Sequence, residues 1–255
     1  MQQATTTGAS RVSLIPVLND NYVFVLHGEG PGPAVVVDPA VAEPVIAWLE
    51  EQQLSLAAIL HTHHHHDHIG GAAGLLARWP GAAVIASAAD RARIPLQTQG
   101  VSGGDALTVL GRAVQVLEVP GHTAHHIAYY LPPQGESGGE LFCGDTLFAA
   151  GCGRLFEGSP EQMHASLQRL AALPADTRVW CAHEYTEGNL RWAAAEEPSD
   201  GAIAERLAAV RACRASGQPT IPSNIGLERA TNLFVRAADG AELRRRRGSK
   251  DLWHG

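Results

Sequence analysis

Apolar and polar positions in the first part of the chain form short runs that Gly, Pro, Asn and Asp interrupt. Brief apolar or alternating runs between turn residues are the pattern of β-strands. The predicted strands are VSLIPVL, YVFVLHG, AVVVDP, LAAILHTH, AAVIAS, LTVL, VQVLEVPGH, IAYYLP and ELFCGD. Between some of them, helical spacing of apolar residues predicts helices over Val41–Gln53 and Gly71–Arg78.

The pattern changes from Glu161 onward, where apolar residues recur at helical spacing. Helices are predicted over Pro160–Ala172, Glu187–Glu196 and Ser199–Ala215. Strands with intervening helices, followed mainly by helices, predict an α+β fold with a two-layer β core faced by helices and a smaller helical C-terminal region. We place the domain boundary near His183, which gives domains 1–183 and 184–255.

Composition narrows the classes of function. The 255 residues are 45% hydrophobic, which is ordinary for a globular protein with a large core. The formal net charge of −7 argues against binding nucleic acid or a membrane surface, because both need a basic field. The basic run Arg244–Arg247 with Lys250 is a local exception, which is either a solvated tail or an anion-binding segment.

Three further features predict a cytoplasmic protein. The stretch MQQATTTGAS lacks the basic segment and apolar run of a secretory signal. No apolar run approaches the length of a membrane span. Cys143, Cys152, Cys181 and Cys213 form no C-x-x-C pair, which disfavours a thiolate zinc site or a redox motif and is typical of a reducing compartment.

The most informative segment is HTHHHHDH at residues 61–68. A purification tag would lie at a terminus, whereas this run follows a predicted strand and precedes an Ile-Gly-Gly turn. Imidazoles and a carboxylate packed this closely would be costly to bury unpaired, and metal coordination removes that cost. Because neutral imidazole and carboxylate are good ligands for zinc, iron or manganese, the segment predicts a metal site.

Three more candidate ligands follow predicted strands elsewhere in the chain. His122 comes after VQVLEVP, Asp145 after ELFCG and His183 after VWC. A single His or Asp in such a place is more often a turn or capping residue. Together with the histidine cluster, however, they predict that several loops meet around metal ions at one edge of the β core.

The succession of T-H-x-H-x-D-H, G-H-T, G-D-T and a late His resembles the metallo-β-lactamase superfamily. Within it, the chain is most similar to the glyoxalase II (hydroxyacylglutathione hydrolase) family. The strings that carry this resemblance are NDNY (19–22), VDP (37–39), GDTLF (144–148), GCGR (151–154), FEG (156–158), HEYT (183–186) and RGSKD (247–251). The resemblance spans nearly the whole chain and implies the four-layer αββα sandwich of the superfamily with a smaller α-helical, substrate-binding C-terminal domain.

The resemblance also implies two divalent metal ions, with zinc expected and iron or manganese as alternatives. The implied ligands are His63, His65 and His122 for one ion and Asp67, His68 and His183 for the other, with Asp145 between them. The remaining histidines of the cluster are expected to support the ligands, pack or lie at the surface; they are His61, His64 and His66.

In that family the substrate is S-D-lactoylglutathione, which is cleaved to D-lactate and glutathione in the detoxification of methylglyoxal. The resemblance implies a metal-bound hydroxide as nucleophile, with Asp67 and Asp145 orienting the water. It assigns substrate contacts to Arg154, Phe156, Tyr185, Arg247 and Lys250. The family often has Tyr at the position of Phe156. The missing hydroxyl predicts weaker substrate binding, seen as a higher KM, or a shifted acyl preference. A monomer is expected.

Four alternative functions are less well supported. A lactamase or lactonase would use similar metals, but a β-lactamase usually has Cys where Asp145 stands. A persulfide dioxygenase also uses glutathione but binds a single iron, and the second ligand set favours hydrolysis instead. A metal-storage or regulatory protein would not need Arg154 and the C-terminal cations. A nuclease is disfavoured by the acidic balance.

Overall fold

The computed structural model describes residues 11–135 and 138–254. The N-terminal stretch that lacks a signal pattern therefore lies outside the described residues. The chain divides into two compact units, unit 1 (Met1–Leu117 and Ile127–Phe142) and unit 2 (Glu118–His126 and Cys143–Gly255). The domain boundary near His183 stays a prediction.

The described residues form strands and helices in the predicted order. The strands are β1 (Arg11–Val17), β2 (Asn21–His27), β3 (Gly32–Val37), β4 (Leu54–Leu60), β5 (Ala83–Ser87), β6 (Gln99–Val101), β7 (Ala106–Val109), β8 (Arg112–Glu118), β9 (Ile127–Leu131), β10 (Glu140–Gly144), β11 (Leu147–Phe148), β12 (Gly151–Cys152), β13 (Arg178–Cys181) and β14 (Ser223–Asn224). The helices are α1 (Glu43–Glu51), α2 (His66–Ile69), α3 (Ala72–Arg78), α4 (Pro160–Ala171), α5 (Thr186–Glu196), α6 (Gly201–Ala215), α7 (Ile225–Thr231) and α8 (Gly240–Leu252). Each predicted strand and helix lies on an observed one, with small shifts at the ends.

Unit 1 contains a mixed sheet in the order β1-β2-β3-β4-β5-β6. The first three strands pair antiparallel, whereas β3 to β6 run parallel. In β2 every residue from Asn21 to Leu26 is buried, because both faces of this central strand are covered. The parallel register sets Val37 beside Leu60 and Leu60 beside Ile85, so the loops that follow these strands leave the same edge of the sheet.

The core of unit 1 lies between this sheet and its helices. Helix α1 packs on the sheet and on α3, and Val45 and Leu49 of α1 and Leu75 of α3 are completely buried in the same core. Strands β7 to β10 lie side by side in the order β10-β9-β8-β7. The last residue of β8 and the last two residues of β10 belong to unit 2.

Unit 2 is mainly helical. Helix α4 begins as predicted at Pro160, where Ser159 and Gln162 form a reciprocal capping box. Helix α4 packs against α7 and α8, and α6 packs against α5 and α7. The fully buried rings of Trp192 and Phe234 stack with their centroids 5.0 Å apart. Among the described residues, no helix is long and apolar enough to cross a membrane.

The basic run near the C-terminus lies in helix α8. Asp239 caps this helix by accepting a hydrogen bond from the Glu242 backbone N–H at 2.8 Å. Leu243, Arg246 and Arg247 are buried on one face of it. The run is therefore not a solvated tail, although Arg244 and Arg245 are exposed.

Candidate metal centre

The predicted metal ligands are distributed over both compact units. His63, His65, Asp67 and His68 belong to unit 1, on the loop after β4 and on helix α2. His122, Asp145 and His183 belong to unit 2, each directly after or near the end of a strand.

Asp38 holds in place the segment of unit 1 that carries His63, His65, Asp67 and His68, which we call the ligand loop. It follows β3 with a left-handed backbone (φ +49°), which few residues other than Gly adopt. Its backbone N–H donates to the Leu60 carbonyl at 3.0 Å. Its carboxylate accepts hydrogen bonds from Thr62 N–H at 2.8 Å, Thr62 Oγ1 at 2.6 Å and His68 Nδ1 at 3.2 Å. One buried carboxylate therefore holds both ends of the loop.

These hydrogen bonds select the histidine tautomers that a metal needs. His68 donates from Nδ1 to Asp38, which leaves the lone pair of Nε2 for a metal. The hydroxyl of Thr62 donates to Asp38 and can accept from His63 Nδ1 at 3.1 Å, which leaves His63 Nε2 as the ligand atom. His63 Nε2 lies 3.0 Å from His65 Nδ1, so two donor atoms already converge. The donor set fits a divalent cation.

Asp67 is held by a residue of β2. Asn21 Nδ2 donates to Asp67 Oδ2 at 3.1 Å and to the Asp67 carbonyl at 3.3 Å. Asp67 Oδ2 also lies 3.7 Å from His68 Nε2. A carboxylate oxygen and an imidazole nitrogen at this separation can share one cation.

The turn after α2 requires glycine. A Cβ atom at Gly70 would lie 2.6 Å from the Ala40 carbonyl oxygen, and one at Gly71 would lie 2.6 Å from the Val41 carbonyl carbon. Gly71 N–H donates to the Pro39 carbonyl at 2.8 Å. The segment after Asp38 therefore packs directly on the backbone of the ligand loop, which explains the Ile-Gly-Gly that follows the histidines.

His61 is fully buried beside Asp38. Its Nδ1 lies 3.9 Å from Asp38 Oδ1. Burial lowers the pKa of His61 to about 4, against the opposing effect of Asp38 and with a smaller contribution from His68. His61 is therefore a neutral packing residue at physiological pH. The hydroxyl of Tyr129 contacts its carbonyl oxygen at 3.0 Å.

In unit 2, Asp145 lies between two histidines. Asp145 Oδ2 is 3.4 Å from His122 Nε2, and Asp145 Oδ1 is 3.4 Å from His183 Nε2. His122 donates from Nδ1 to the Arg154 carbonyl at 2.8 Å, which leaves Nε2 for a metal. Each carboxylate oxygen of Asp145 therefore faces a different imidazole.

Two further residues support Asp145. The Asp145 backbone N–H donates to His126 Nε2 at 3.2 Å. A Cβ atom at Gly153 would lie 1.9 Å from the Asp145 carbonyl oxygen and 3.0 Å from His122 Nδ1. Only glycine fits at this close approach, which explains the second glycine of the GCGR string.

Two of the predicted substrate residues are exposed aromatic side chains beside predicted metal ligands. The ring of Tyr185 stacks on that of His183, with centroids 4.8 Å apart and an interplanar angle of 6°. The ring of Phe156 lies 5.2 Å from that of His122. Phe156 is 63% exposed and Tyr185 39% exposed, so both can contact a ligand.

The predicted cationic residues differ in their freedom to bind a substrate. Arg154 is exposed, with its Nε 3.7 Å from Asp251 Oδ1. Arg247 is buried, donates to the Cys152 carbonyl at 2.9 Å and pairs with Asp251 at 2.9 Å. Lys250 donates to the Gly188 carbonyl at 2.9 Å and lies 4.9 Å from the centre of the Trp253 ring. Burial, followed by the charge of Arg247, lowers the pKa of Lys250 to about 8.

Sequence reasoning missed the residues that orient the ligands, namely Asn21, Asp38 and His126. The signal for Asp38 was present, because it follows an apolar strand just as Asp145 does. Asn21 lies within the NDNY string that carried part of the resemblance. None of the three could be connected to the predicted ligands without the register of the strands.

Comparison with known proteins identifies the family. Residues 16–183 match the family model of the metallo-β-lactamase superfamily, and residues 184–252 match the model of the hydroxyacylglutathione hydrolase C-terminus. The hydroxyacylglutathione hydrolase of Synechococcus sp. (strain CC9605) is 58% identical over 247 residues, which cover 96% of this chain and 98% of that protein.

Solved structures show the same fold. ETHE1 from Myxococcus xanthus superposes with a TM-score of 0.70 at 26% identity, covering 96% of this chain and 92% of that chain. TTHA1623, solved in a di-iron-bound form, has a TM-score of 0.60 at 26% identity, with coverage of 88% and 99%. The predicted α+β metallo-β-lactamase fold with a helical C-terminal region is thereby confirmed. The chain belongs to the hydroxyacylglutathione hydrolase family of the metallo-β-lactamase superfamily.

Proposed function

We propose that the chain hydrolyses S-D-lactoylglutathione to D-lactate and glutathione with the help of two divalent metal ions. The observation that carries the proposal is the match over both parts of the chain, including the C-terminal region specific to hydroxyacylglutathione hydrolases, at 58% identity to a protein of that name. The tautomers selected in the ligand loop support it independently.

The proposed ligands are those that the resemblance implied. Asp38 orients His63 and His68 in unit 1, and the Arg154 carbonyl orients His122 in unit 2. Asp145 offers one oxygen to each of His122 and His183, as a bridging ligand would. We propose zinc as the resident metal; the same donors accept iron or manganese, and the related TTHA1623 was solved with two irons.

When bound, the metal ions would lower the pKa of a coordinated water toward neutrality and polarise the thioester carbonyl. The chain's own carboxylates orient that water. Asn21 holds the carboxylate of Asp67, and His126 holds the backbone from which the Asp145 carboxylate extends. Water adds to the carbonyl carbon, the carbon–sulfur bond breaks, and the thiol of glutathione leaves with a proton.

Substrate recognition is proposed to come from the side chains beside the unit 2 ligands. Arg154 and Lys250 provide cations for the carboxylates of glutathione, and Tyr185 provides an exposed aromatic surface. Arg247 is buried against Asp251 and the Cys152 carbonyl, so it contributes by shaping this region. Phe156 contributes a ring but no hydroxyl.

The proposal extends to the state of the protein in the cell. We propose a monomer in the cytoplasm. All four cysteines are free thiols, in keeping with a reducing compartment. Burial raises the pKa of Cys152 to about 11 and that of Cys181 to about 12, so these thiols stay protonated and unreactive.

A pair of thioesters tests the substrate class. We expect rapid hydrolysis of S-D-lactoylglutathione and a much lower kcat/KM for the lactoyl thioester of N-acetylcysteamine, which lacks the carboxylates. A Lys250→Ala variant should reduce this preference by raising KM for the glutathione thioester alone. Equal hydrolysis of both thioesters by the wild-type protein would contradict glutathione recognition.

A further inference from the structure

His64 lies between two proposed ligands but has partners of its own. Its Nδ1 donates to Asp90 Oδ2 at 3.1 Å, and Arg93 Nη1 donates to its Nε2 at 3.2 Å. Arg93 Nε also donates to Asp90 Oδ1 at 2.5 Å, which closes a three-residue ring of hydrogen bonds. Both ring nitrogens of His64 are therefore occupied away from a metal.

Asp90 is a rigid anchor for this contact. Its side chain is 1% exposed, and it lies in the short turn after β5. Its carbonyl accepts hydrogen bonds from the backbone N–H groups of Arg93 at 2.9 Å and Ile94 at 3.0 Å. Because β4 and β5 are parallel neighbours, His64 ties the ligand loop to the adjacent loop at the same sheet edge.

Because His64 lies between His63 and His65 in the chain, its contact with Asp90 affects the orientation of both. The ring nitrogens of His63 and His65 face each other, whereas those of His64, between them in the chain, face Asp90 and Arg93. The rings of His63 and His65 have their centroids 4.6 Å apart and their facing nitrogens 3.0 Å apart, and the centroid of the His64 ring lies 6.4 Å from that of His63 and 4.9 Å from that of His65. Fixing His64 fixes the rotation of the backbone that aims both ligands.

We propose that His64, Asp90 and Arg93 form an orienting clamp, and that His64 and Asp90 are positioning residues for the metal held by His63 and His65. The inference rests on the proposed metal site. The other unit 1 ligands are held separately, Asp67 by Asn21 and His68 by Asp38. Loss of the clamp should therefore weaken one of the two metal equivalents and spare the other.

The test measures the affinity of each metal equivalent by competition with a chromophoric zinc chelator, using the full chain. Partners that orient a metal-binding histidine change affinity by about 10–100-fold when removed, and we expect that loss for one equivalent in His64→Ala and Asp90→Asn. The matched control is His66→Ala, because His66 is exposed in the same histidine run. His64→Asn should retain most of the affinity, since its amide nitrogen can replace the Nδ1 donor.

The combined variant and the thermal unfolding of the metal-free proteins separate orientation from stability. His64→Ala and Asp90→Asn together should weaken binding no more than either alone, because both break the same contact. If the wild-type protein binds two metal ions and neither His64→Ala nor His66→Ala changes their affinities, the clamp is overturned. The proposed function would be unaffected by that result. Parallel weakening of both equivalents together with a matching fall in Tm would also overturn the clamp. A wild-type protein without metal would contradict the proposed function itself.

Discussion

Asp38 holds Thr62 at two points. Its Oδ1 accepts the Thr62 backbone N–H at 2.8 Å, and its Oδ2 accepts the Thr62 hydroxyl at 2.6 Å. This contact fixes the start of the ligand loop, while the bond from His68 to the same carboxylate fixes its end. The two ends of the loop and the tautomers of His63 and His68 thus depend on one side chain that is not itself among the proposed ligands.

Replacing Asp38 should cost both stability and metal affinity. Asp38→Ala leaves buried donors on Thr62 and His68 unsatisfied, and each such group costs about 1–3 kcal/mol. We expect the free energy of unfolding of the metal-free protein to fall by about 3 kcal/mol or more in urea titrations. Asp105→Ala is the control, since Asp105 is an exposed carboxylate that also accepts a backbone N–H, that of Ser102 at 2.8 Å. Equal effects of the two changes would refute the role of Asp38.

Gly153 should tolerate no side chain. A Cβ atom there would lie 1.9 Å from the Asp145 carbonyl oxygen, so the backbone of Asp145 or of Gly153 must move. Because a displacement of about 1 Å can lower a rate about 100-fold, Gly153→Ala should reduce kcat/KM for thioester hydrolysis by at least about that factor. Gly201→Ala, at a position with nothing within 4 Å of an added Cβ, should retain wild-type activity. Near-normal activity of Gly153→Ala would mean that the ligand set does not depend on this close approach.

Lys250 should make substrate capture sensitive to alkaline pH. Its pKa, lowered to about 8 chiefly by burial, means that its positive charge is present below that pH and is lost as the pH rises through it. If the charge binds a glutathione carboxylate, kcat/KM should fall above about pH 8, since this ratio reports groups of the free enzyme. Lys250→Arg keeps its charge and should remove this fall. Identical pH profiles of the two proteins would count against the assignment.

The buried pair of Arg206 and Glu228 should be essential for the stability of unit 2. Arg206 Nη2 donates to Glu228 Oε1 at 2.6 Å, and Glu228 Oε2 accepts the Ala150 backbone N–H at 2.8 Å. Glu228→Ala would leave a buried guanidinium without its counter-charge, which costs about 3–5 kcal/mol in the free energy of unfolding.

The exposed pair of Glu50 and Arg78, at 2.7 Å, provides the control for that change. Glu50→Ala should lower the free energy of unfolding by less than about 1 kcal/mol, because solvent screens an exposed pair. Chemical denaturation of both variants measures the difference. Comparable decreases in the free energy of unfolding would show that the buried Arg206–Glu228 pair stabilises the protein no more than the exposed pair does.

Much of the fold followed from apolar periodicity. Strands such as β2 and β10 are buried along most of their length, so their runs of apolar residues stand out in the sequence. Helix α8 was missed because its buried face is built from Leu243 and the arginines Arg246 and Arg247. Long basic side chains cover apolar surface with their aliphatic stems, although they count as polar residues in a sequence pattern. The capping residue Asp239 was a usable signal for its start.

The site was harder to predict in its supporting residues than in its proposed ligands. The ligand candidates share a chemical type and a place after strands, which the sequence displays. Asp38 and Asp90 are partners of the histidine loop only because β3, β4 and β5 run parallel in a particular register. That register depends on packing between distant segments, which a periodic pattern does not encode.

The most direct test of the account is hydrolysis of S-D-lactoylglutathione by the purified protein, followed by loss of thioester absorbance, with and without a chelator and alongside metal analysis. The account predicts hydrolysis that the chelator abolishes and added zinc restores, with close to two metal ions per chain. A protein that carries a single iron and does not hydrolyse the thioester would contradict it, and would favour oxidation of glutathione persulfide instead.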